Sequence, residues 1–501
     1  QIWIILHKSD MCRFQKPGGA NLIKSINILF LSLVIVIGMI LPDISQAAVQ
    51  ENTYYYSVLF NENKVPGNLS ARLASCGGEI IYTVPEIGFA QVKGDNKIFS
   101  ELRSLSSVDL VNPSISWSSP EVGENGLKRD LTLDPDQAPL WDLEWDIKLV
   151  TENGASYHLG TGSHNVVVGI IDSGIDRDHP DLVANLLPGS KNFVPAGGYR
   201  NTEPDETGDP GEYDDQLGHG SHIAGTIAAH GEMSGVAPDT AIRAYRILGE
   251  SFAETAWVTA AMVAAANDGV DVISLSLSGF DLKGQVFCPD PLTGKKVALG
   301  NDLADFLAYQ RAVRYAINKG SLVVAAAGND GLNLTAKGNV TDYLNSVYSD
   351  YGLNFVGASF EVPGTIPGVV TVSATGPDHT LALYSNFGPG FIDISAPGGN
   401  ILEFLEYQQN GKLDEYFERE LYKNEFCLST DNQGGYSYNA GTSMAVPKVA
   451  AVAALIIDKY GKIGPRKVAG ILCKESVEPV NGKERAYFGS GRLNAVKALT
   501  D

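Results

Sequence analysis

The chain has 501 residues, of which 44% are hydrophobic and 19% are charged, so it is long enough for more than one folded domain. Its formal net charge is −21, because 58 acidic residues outnumber 37 basic ones. This charge argues against a nucleic-acid partner, since phosphate binding needs a basic face, and it is compatible with a basic substrate. An acidic surface that only keeps a secreted protein soluble is the alternative explanation.

Residues 1–47 have the pattern of a secretory signal. Basic residues precede an apolar run over residues 26–41, and Ser45-Gln46-Ala47 places small residues at a cleavage position. The apolar run is shorter than the roughly 20 residues that cross a bilayer. We therefore predict a cleaved signal and a secreted protein without a stable membrane anchor. An uncleaved anchor is the alternative.

Residues 48–113 are predicted to form a small α+β domain of the ferredoxin-like type. The patterns indicate, in order, strand, helix, strand, strand, helix and strand, over residues 54–60, 69–76, 79–84, 88–92, 98–105 and 108–111. A polar linker over residues 114–139 follows and contains the dibasic pair Lys128-Arg129. Exposed linkers are preferred sites of proteolytic cleavage.

Residues 140–501 alternate between short apolar runs and helical patterns. Strands are predicted over residues 166–171, 241–247, 270–277, 321–326, 369–373 and 392–395. Helices are predicted over residues 221–229, 256–266, 303–318, 449–460, 466–472 and 491–499. This order predicts a mostly parallel α/β sheet with both faces covered, and a site beyond the carboxyl ends of the strands.

Three segments carry residues suited to nucleophilic catalysis. Ser443 opens a helical run, where backbone N–H groups and the positive end of the helix dipole meet. His219 lies between two glycines at another helix start, and Asp172 ends a buried strand. Neutral His219 can take a proton from Ser443 and return it to a leaving amine, while Asp172 orients the imidazole. Taken singly, the serine and the aspartate also fit an ordinary helix cap and a turn cap.

Two further polar residues lie near these segments. Asn329 follows a predicted strand and can donate its amide to a developing oxyanion, although an ordinary turn residue is the alternative. His222 is expected to be a packing residue rather than a metal ligand.

The five cysteines do not have the spacing of a zinc site. Cys12 belongs to the signal and Cys76 to the N-terminal domain. Cys288 and Cys427 lie in loop-like insertions and are candidates for a disulfide outside the cell. Cys473 is expected to be a buried thiol on a helix.

Together these segments resemble the subtilisin-like serine peptidases of family S8. The motifs that carry the resemblance are Asp172-Ser173-Gly174, His219-Gly220-Ser221-His222, Ala327-Gly328-Asn329 and Gly441-Thr442-Ser443-Met444-Ala445-Val446-Pro447. The resemblance covers residues 141–501 and implies a three-layer α/β fold and peptide hydrolysis through an acyl-enzyme, with no cofactor required for the chemistry. It implies a catalytic triad of Asp172, His219 and Ser443, and Asn329 as the oxyanion donor. It also implies that residues 48–113 are a propeptide, a folding chaperone and inhibitor of the enzyme.

The same resemblance indicates the substrate-binding residues. The walls of the P1 pocket would be formed by Ser276, Leu277, Ser278, Gly279, Ala327 and Gly328. Asp330 would place a carboxylate near this pocket, and Asp215 would lie in the region that contacts P2. These acids favour a basic residue before the cut, with a solvated acidic loop as the alternative. We therefore predict self-cleavage after Arg129.

Many members of the family bind calcium, and Asp181 matches one of the ligand positions. Residues 229–237 form a shorter loop than the one that supplies most of the other ligands, which argues against calcium at this place.

Segments at residues 192–198, at residues 235–238 with 242–246, and at residues 447–449 with 455–460 are similar to those of lantibiotic leader peptidases. This similarity implies that the substrate is one modified peptide precursor. A general extracellular degradative subtilisin is the alternative, and an inactive binding or chaperone protein on the same fold is a more remote one.

Overall fold

The computed structural model describes residues 2–4, 54–114, 116–118, 134–249, 252–289 and 293–500. Except for residues 2–4, the signal predicted over residues 1–47 lies outside the described residues, and so does the Lys128-Arg129 pair. No helix within the described ranges is long and apolar enough to cross a membrane.

The strands and helices are numbered in chain order. The strands are β1 Ile2–Ile4, β2 Tyr54–Phe60, β3 Glu79–Val84, β4 Phe89–Gly94, β5 Val108–Pro113, β6 Ser116–Ser118, β7 Val167–Asp172, β8 Lys191–Asn192, β9 Ala241–Arg246, β10 Phe252–Glu254, β11 Val272–Leu275, β12 Gly279–Leu282, β13 Gln285–Pro289, β14 Lys296–Gly300, β15 Leu322–Ala326, β16 Asn354–Val356, β17 Ser359–Val362, β18 Val369–Thr375, β19 Ile394–Pro397, β20 Cys427–Thr430, β21 Tyr436–Ala440, β22 Val477–Pro479 and β23 Gly491–Leu493. The helices are α1 Leu69–Ala74, α2 Asn96–Ser104, α3 Trp145–Thr151, α4 His219–Ala228, α5 Thr255–Asn267, α6 Leu303–Lys319, α7 Asn339–Val347, α8 Leu402–Gln409, α9 Leu413–Glu418, α10 Tyr422–Glu425, α11 Thr442–Tyr460, α12 Pro465–Lys474, α13 Arg485–Phe488 and α14 Ala495–Thr500.

The N-terminal domain is a four-stranded antiparallel sheet with two helices. Its strand order is β3-β4-β2-β5, with α1 after β2 and α2 after β4. Apolar side chains of β2, β4, α1 and α2 form its core. The elements follow one another in the order β-α-β-β-α-β, and each helix turns one apolar face to the sheet, with Leu69 and Leu73 buried on α1 and Ile98 and Leu102 buried on α2.

The second domain is built on a nine-stranded sheet in the order β22-β23-β19-β18-β15-β11-β7-β9-β8. All neighbouring pairs are parallel except β22 with β23 at one edge. One apolar core joins the sheet to α4 and α11, and a second core on the opposite face joins it to α5 and α6. The predicted three-layer α/β fold is confirmed. The strands are continuous apolar runs because both of their faces are covered.

The N-terminal domain packs on α5 and α6 of the second domain. Leu59 and Phe89 share an apolar core with Trp257. On α6, Asp305 accepts hydrogen bonds from Ser57 Oγ at 2.7 Å and from Asn112 Nδ2 at 2.5 Å. Next to this contact, β6 pairs with β10 in antiparallel register. The chain that leaves the N-terminal domain therefore adds a strand to the larger domain.

The prediction of one helix over residues 491–499 is wrong in its first half. Residues Gly491–Leu493 form β23, where Arg492 pairs with Ser395 on one side and with Glu478 on the other. Helix α14 begins only afterwards, and Asn494 Oδ1 accepts from Lys497 N at 3.0 Å near its start. Pairing with distant strands overrides the local helical pattern here.

The proposed disulfide between Cys288 and Cys427 is not formed in the part of the chain that the structure describes. Cys288 lies on β13 in a small surface sheet, whereas Cys427 begins β20 and is completely buried in the core that contains α11. Burial raises the pKa of the Cys427 thiol well above its ordinary value. Cys473 on α12 is also a thiol, and burial raises its pKa to about 12.

Candidate active site

Asp172 and His219 form a buried pair at the carboxyl end of the central sheet. Asp172 is the last residue of β7, and His219 is the first residue of α4. The distance from His219 Nδ1 to Asp172 Oδ1 is 2.6 Å, and both side chains are almost fully buried. Gly220 permits this approach, since a Cβ there would lie 2.0 Å from the carbonyl oxygen of Gly174. The carboxylate fixes the imidazole so that its Nε2 is available for proton transfer.

Asp215 was predicted to lie in the region that contacts the substrate at P2. In the structure, its carboxylate instead binds the start of the helix that carries His219. Its Oδ1 accepts from the N–H groups of Leu217 and Gly218 at 2.9 and 2.8 Å. Its Oδ2 accepts from Ser221 N and Ser221 Oγ at 2.8 and 2.7 Å. The carboxylate is buried and saturated by these donors, because the first N–H groups of a helix have no partner within the helix.

Ser443 is the second residue of α11 and lies close to β11. Its Oγ donates to the carbonyl oxygen of Ser276 at 3.1 Å, and Ser276 Oγ donates to the carbonyl oxygen of Ser443 at 2.9 Å. These two hydrogen bonds hold the serine at the helix N-terminus. Pro447 lies in the second turn of α11 and cannot donate to the carbonyl oxygen of Ser443, which accepts from Ser276 Oγ instead.

Asn329 is oriented by the residue that precedes Ser443. Its Oδ1 accepts from Thr442 N and from Thr442 Oγ1, both at 2.9 Å. Because the amide oxygen is used in this way, the Nδ2 group is the part of the side chain left to donate. The amide is therefore held next to the serine by a contact that fixes its rotation.

The two walls predicted for the P1 pocket lie against each other. A Cβ at Gly328 would lie 2.5 Å from Ser278 Oγ and 2.4 Å from Asn386 Nδ2, so only glycine fits there. Asp330 Oδ2 accepts from Asn386 Nδ2 at 2.9 Å, and burial raises the pKa of the Asp330 carboxyl. Of the other wall residues, Leu277 and Gly279 are partly exposed, whereas Ser276 and Ala327 are buried.

Asp181 has protein partners at the position where the resemblance implied a calcium ligand. Its Oδ2 accepts from Met233 N at 3.0 Å and from Tyr436 Oη at 2.9 Å. Within the described residues, no three or more His, Cys, Asp and Glu side chains are grouped to hold a metal ion. Asp181 Oδ2 therefore already has two protein donors, which a cation at this oxygen would have to displace.

His222 is confirmed as a packing residue. It is completely buried, with Nε2 at 3.2 Å from the carbonyl oxygen of Cys427. Burial, together with the nearby Lys448, lowers the pKa of His222 to about 3. The imidazole is therefore neutral at about pH 7.

The sequence interpretation did not single out Glu361, a buried carboxyl group near the residues predicted to line the P1 pocket. It lies on β17, which pairs with β12 immediately after the pocket residue Ser278. The signal available was a glutamate within the apolar stretch Phe360-Glu361-Val362, because buried carboxyl groups in apolar surroundings are uncommon outside functional sites.

A parallel α/β sheet with an aspartate, a histidine and a serine at its carboxyl end defines a serine hydrolase of the subtilisin type. Residues 163–491 match the model of the subtilase family, Peptidase S8, and the chain belongs to this family. It is a serine-type endopeptidase.

Particular relatives share most of the chain. It is 32% identical over 462 residues to the epidermin leader peptide-processing serine protease EpiP of Staphylococcus epidermidis, covering 91% of this chain and 95% of the relative. It is 35% identical over 381 residues to the nisin leader peptide-processing serine protease NisP of Lactococcus lactis, covering 74% of this chain and 53% of that relative. The crystal structure of EpiP from Staphylococcus aureus is similar, with a TM-score of 0.75, 32% identity and coverage of 90% and 98% of the two chains.

Proposed function

We propose that this protein is a secreted serine endopeptidase that removes the leader from a lantibiotic precursor, with a basic residue before the cut. The observation that carries the proposal is the buried Asp172–His219 pair on a chain that aligns with EpiP over 91% of its length. EpiP and NisP are named for leader processing, and the net charge of −21 is compatible with a basic substrate.

The proposed chemistry uses the side chains in fixed roles. Ser443 Oγ bonds to the carbonyl carbon of the scissile peptide while its proton moves to His219 Nε2. The oxyanion accepts hydrogen bonds from Asn329 Nδ2 and from the N-terminus of α11. Asp172 stabilises the imidazolium, which then protonates the leaving amine as the C–N bond breaks. Water, deprotonated by the same histidine, hydrolyses the acyl-enzyme.

The N-terminal domain is proposed to be an inhibitory propeptide. It contacts α5 and α6, and its β6 pairs with β10 in a two-stranded antiparallel sheet, where an extended peptide substrate would add as a strand once β6 has left. Self-cleavage after Arg129 would separate the two parts.

The N-termini of the purified wild type and of Ser443→Ala, measured by mass spectrometry, test both proposals. We expect the wild type to begin at Asp130 and the variant to retain residues 48–129. Identical N-termini in both proteins would refute self-processing.

Precursor peptides provide the second test. We expect cleavage at the leader boundary to produce one new N-terminus, and unrelated unfolded proteins to be cut far more slowly. Rapid digestion of casein at many sites would instead favour the degradative subtilisin. Failure of wild type and variant alike to react with a fluorophosphonate would favour an inactive binding protein.

A further inference from the structure

Asp305 is a fully buried acid on α6 that the proposed catalytic steps do not use. Its Oδ1 accepts from Ser57 Oγ and its Oδ2 accepts from Asn112 Nδ2, and both donors belong to the N-terminal domain. The Thr255 side chain is a further neutral neighbour. Uncharged groups therefore hold this carboxyl group, and it would lose two of its donors with the N-terminal domain.

Asp305 lies close to the strand on which a substrate would add. Strand β6 pairs with β10 so that Ser116 lies opposite Glu254, the last residue of β10. Four residues before Ser116, the side chain of Asn112 reaches Asp305. Asp305 is also near enough to Glu254 to disfavour the ionisation of that acid. A peptide that adds to β10 in the orientation of β6 therefore carries its upstream residues to Asp305.

Two basic residues also face the N-terminal domain, and they bind different groups. Arg200 Nε lies 3.7 Å from Glu254 Oε1 and so offsets the charge of that acid. Arg311 Nη1 donates to two backbone carbonyl oxygens of the N-terminal domain, at 2.7 and 2.9 Å, and its Nη2 lies 3.6 Å from Asp109 of the same domain. Among the described residues, no ion pair includes Asp305, so its charge is left for a ligand to offset.

We propose that Asp305, once the N-terminal domain has left, binds a lysine or arginine of the leader, four residues upstream of the residue that pairs with Glu254. The inference rests on the proposed leader-peptidase function and on removal of the N-terminal domain. An ammonium or guanidinium group replaces the hydroxyl and amide donors, and a charge-assisted hydrogen bond is roughly twice as strong as a neutral one. The contact selects the leader and not the residue before the cut.

Synthetic peptides of residues 112–133 of this chain test the assignment, because β6 defines their register on β10. One peptide carries Asn112→Arg, and the other carries citrulline, the neutral isostere of arginine, at the same position. Both are acetylated, so that no terminal charge lies beside position 112. The enzyme is the processed wild type, freed of the N-terminal domain. We expect kcat/KM to be about tenfold higher for the arginine peptide, which is about 1.4 kcal/mol.

Two enzyme variants separate Asp305 from other acids. In Asp305→Asn, we expect the two peptides to differ by about twofold or less, because the amide cannot pair with the cation. Glu475→Gln is the matched control, since it removes one negative charge from an exposed position at the end of α12. This control should keep the wild-type ratio. Equal ratios in the two variants would overturn the role of Asp305.

A third peptide tests whether the net charge of −21 simply attracts any basic peptide. It keeps Asn112 and carries Pro113→Arg, which lies next to Gly300 in the structure. Successive side chains of a strand point to opposite faces, so this arginine turns away from Asp305. It should be cleaved no faster than the citrulline peptide. Equal kcat/KM values for arginine at positions 112 and 113 would overturn the proposal.

The peptide comparison uses the wild type alone, so it holds even if Asp305→Asn does not fold. Equal kcat/KM values for the arginine and citrulline peptides overturn the inference and leave the peptidase function intact. An enzyme that cleaves no peptide and does not react with a fluorophosphonate at Ser443 refutes the proposed function itself. Labelling without cleavage overturns the register on which the inference depends. A labelled enzyme that still contains residues 48–129 also overturns it, because Asp305 then remains covered.

Discussion

Lys448 Nζ lies 2.7 Å from Asp146 Oδ2, and neither side chain is exposed to solvent. The pair joins α3 to α11, and Lys448 also donates to the carbonyl oxygen of Met444 at 2.9 Å. Met444 follows Ser443 directly, so the ion pair anchors the first turns of the helix that carries the serine. Each charge is tolerated in the core only because the other is present.

Lys448→Met should therefore destabilise the protein by about 3–5 kcal/mol, because Asp146 would remain as an uncompensated buried charge. Urea unfolding followed by fluorescence measures the change. The double variant Asp146→Leu/Lys448→Met should recover most of the loss. Equal instability of the single and double variants would contradict the buried-pair explanation.

Asn329→Ala should lower kcat by about 10²–10³ with little change in KM, the effect known for removal of one oxyanion donor in subtilisin. The structural reason is that Thr442 holds the amide oxygen and leaves Nδ2 to donate. Steady-state kinetics on one peptide measure the loss. Asn386 lies beside the predicted P1 pocket, so its alanine variant is not a suitable control. The control is Asn345→Ala, because the Asn345 side chain binds the backbone of Phe355, on the small surface sheet. A loss confined to KM would argue against the oxyanion role.

Release of the N-terminal domain should become easier as pH rises. Burial raises the pKa of Asp305 to about 6 and that of Glu254 to about 8. Both carboxyl groups face this domain, Asp305 through Ser57 and Asn112, and Glu254 through Gln91. After release they meet water and their pKa values return towards about 4.

The associated state thus holds protons that the separated state loses. Association is strongest below about pH 4 and weakens as pH rises through about 6 and then about 8. Size-exclusion chromatography of the cleaved protein at about pH 5 and about pH 8.5 should show retention and then dissociation of the domain. Asp305→Asn cannot lose a proton at this position, so its dissociation should depend less on pH. Tighter association at high pH would contradict the argument.

Tyr436→Phe should destabilise the fold by about 1–3 kcal/mol, because the buried Asp181 carboxylate loses the hydroxyl donor at 2.9 Å. Tyr438→Phe is the matched control, since the Tyr438 hydroxyl is buried without a partner among the described residues. Thermal unfolding measures both. If calcium restored the Tm of Tyr436→Phe, or a chelator lowered that of the wild type, Asp181 would have to be regarded as a metal ligand.

The sequence alone located Asp172, His219 and Ser443 because their places are determined locally. A buried strand ends at Asp172, and helices begin at His219 and Thr442, one residue before Ser443. Parallel topology then brings the ends of such elements to one edge of the sheet. The same reasoning predicted the order of all elements in the N-terminal domain.

The errors have a common physical cause, which is competition from distant partners. Asp215 was predicted near P2 because it is an acid that precedes His219 in sequence. In the structure its carboxylate instead accepts hydrogen bonds from N–H groups at and just before the start of α4. Glu361 lies near Ser278 only through the pairing of β17 with β12, whose paired residues are 77 to 83 positions apart in sequence and cannot be aligned from periodicity. Residues Gly491–Leu493 form a strand because β19 pairs with them on one side and β22 pairs with them on the other.

The pairing of β6 with β10 has a kinetic consequence for the proposed removal of the N-terminal domain. As long as the backbone is continuous between Ser118 and Asp134, this strand is a tethered ligand with an effective concentration in the millimolar range, and no free peptide at micromolar levels can compete with it. One cut in the linker turns the same contact into a bimolecular equilibrium that dilution favours breaking. If the N-terminal domain is the inhibitor proposed above, dilution alone would activate the cleaved enzyme, because dilution favours the separated state at an unchanged affinity.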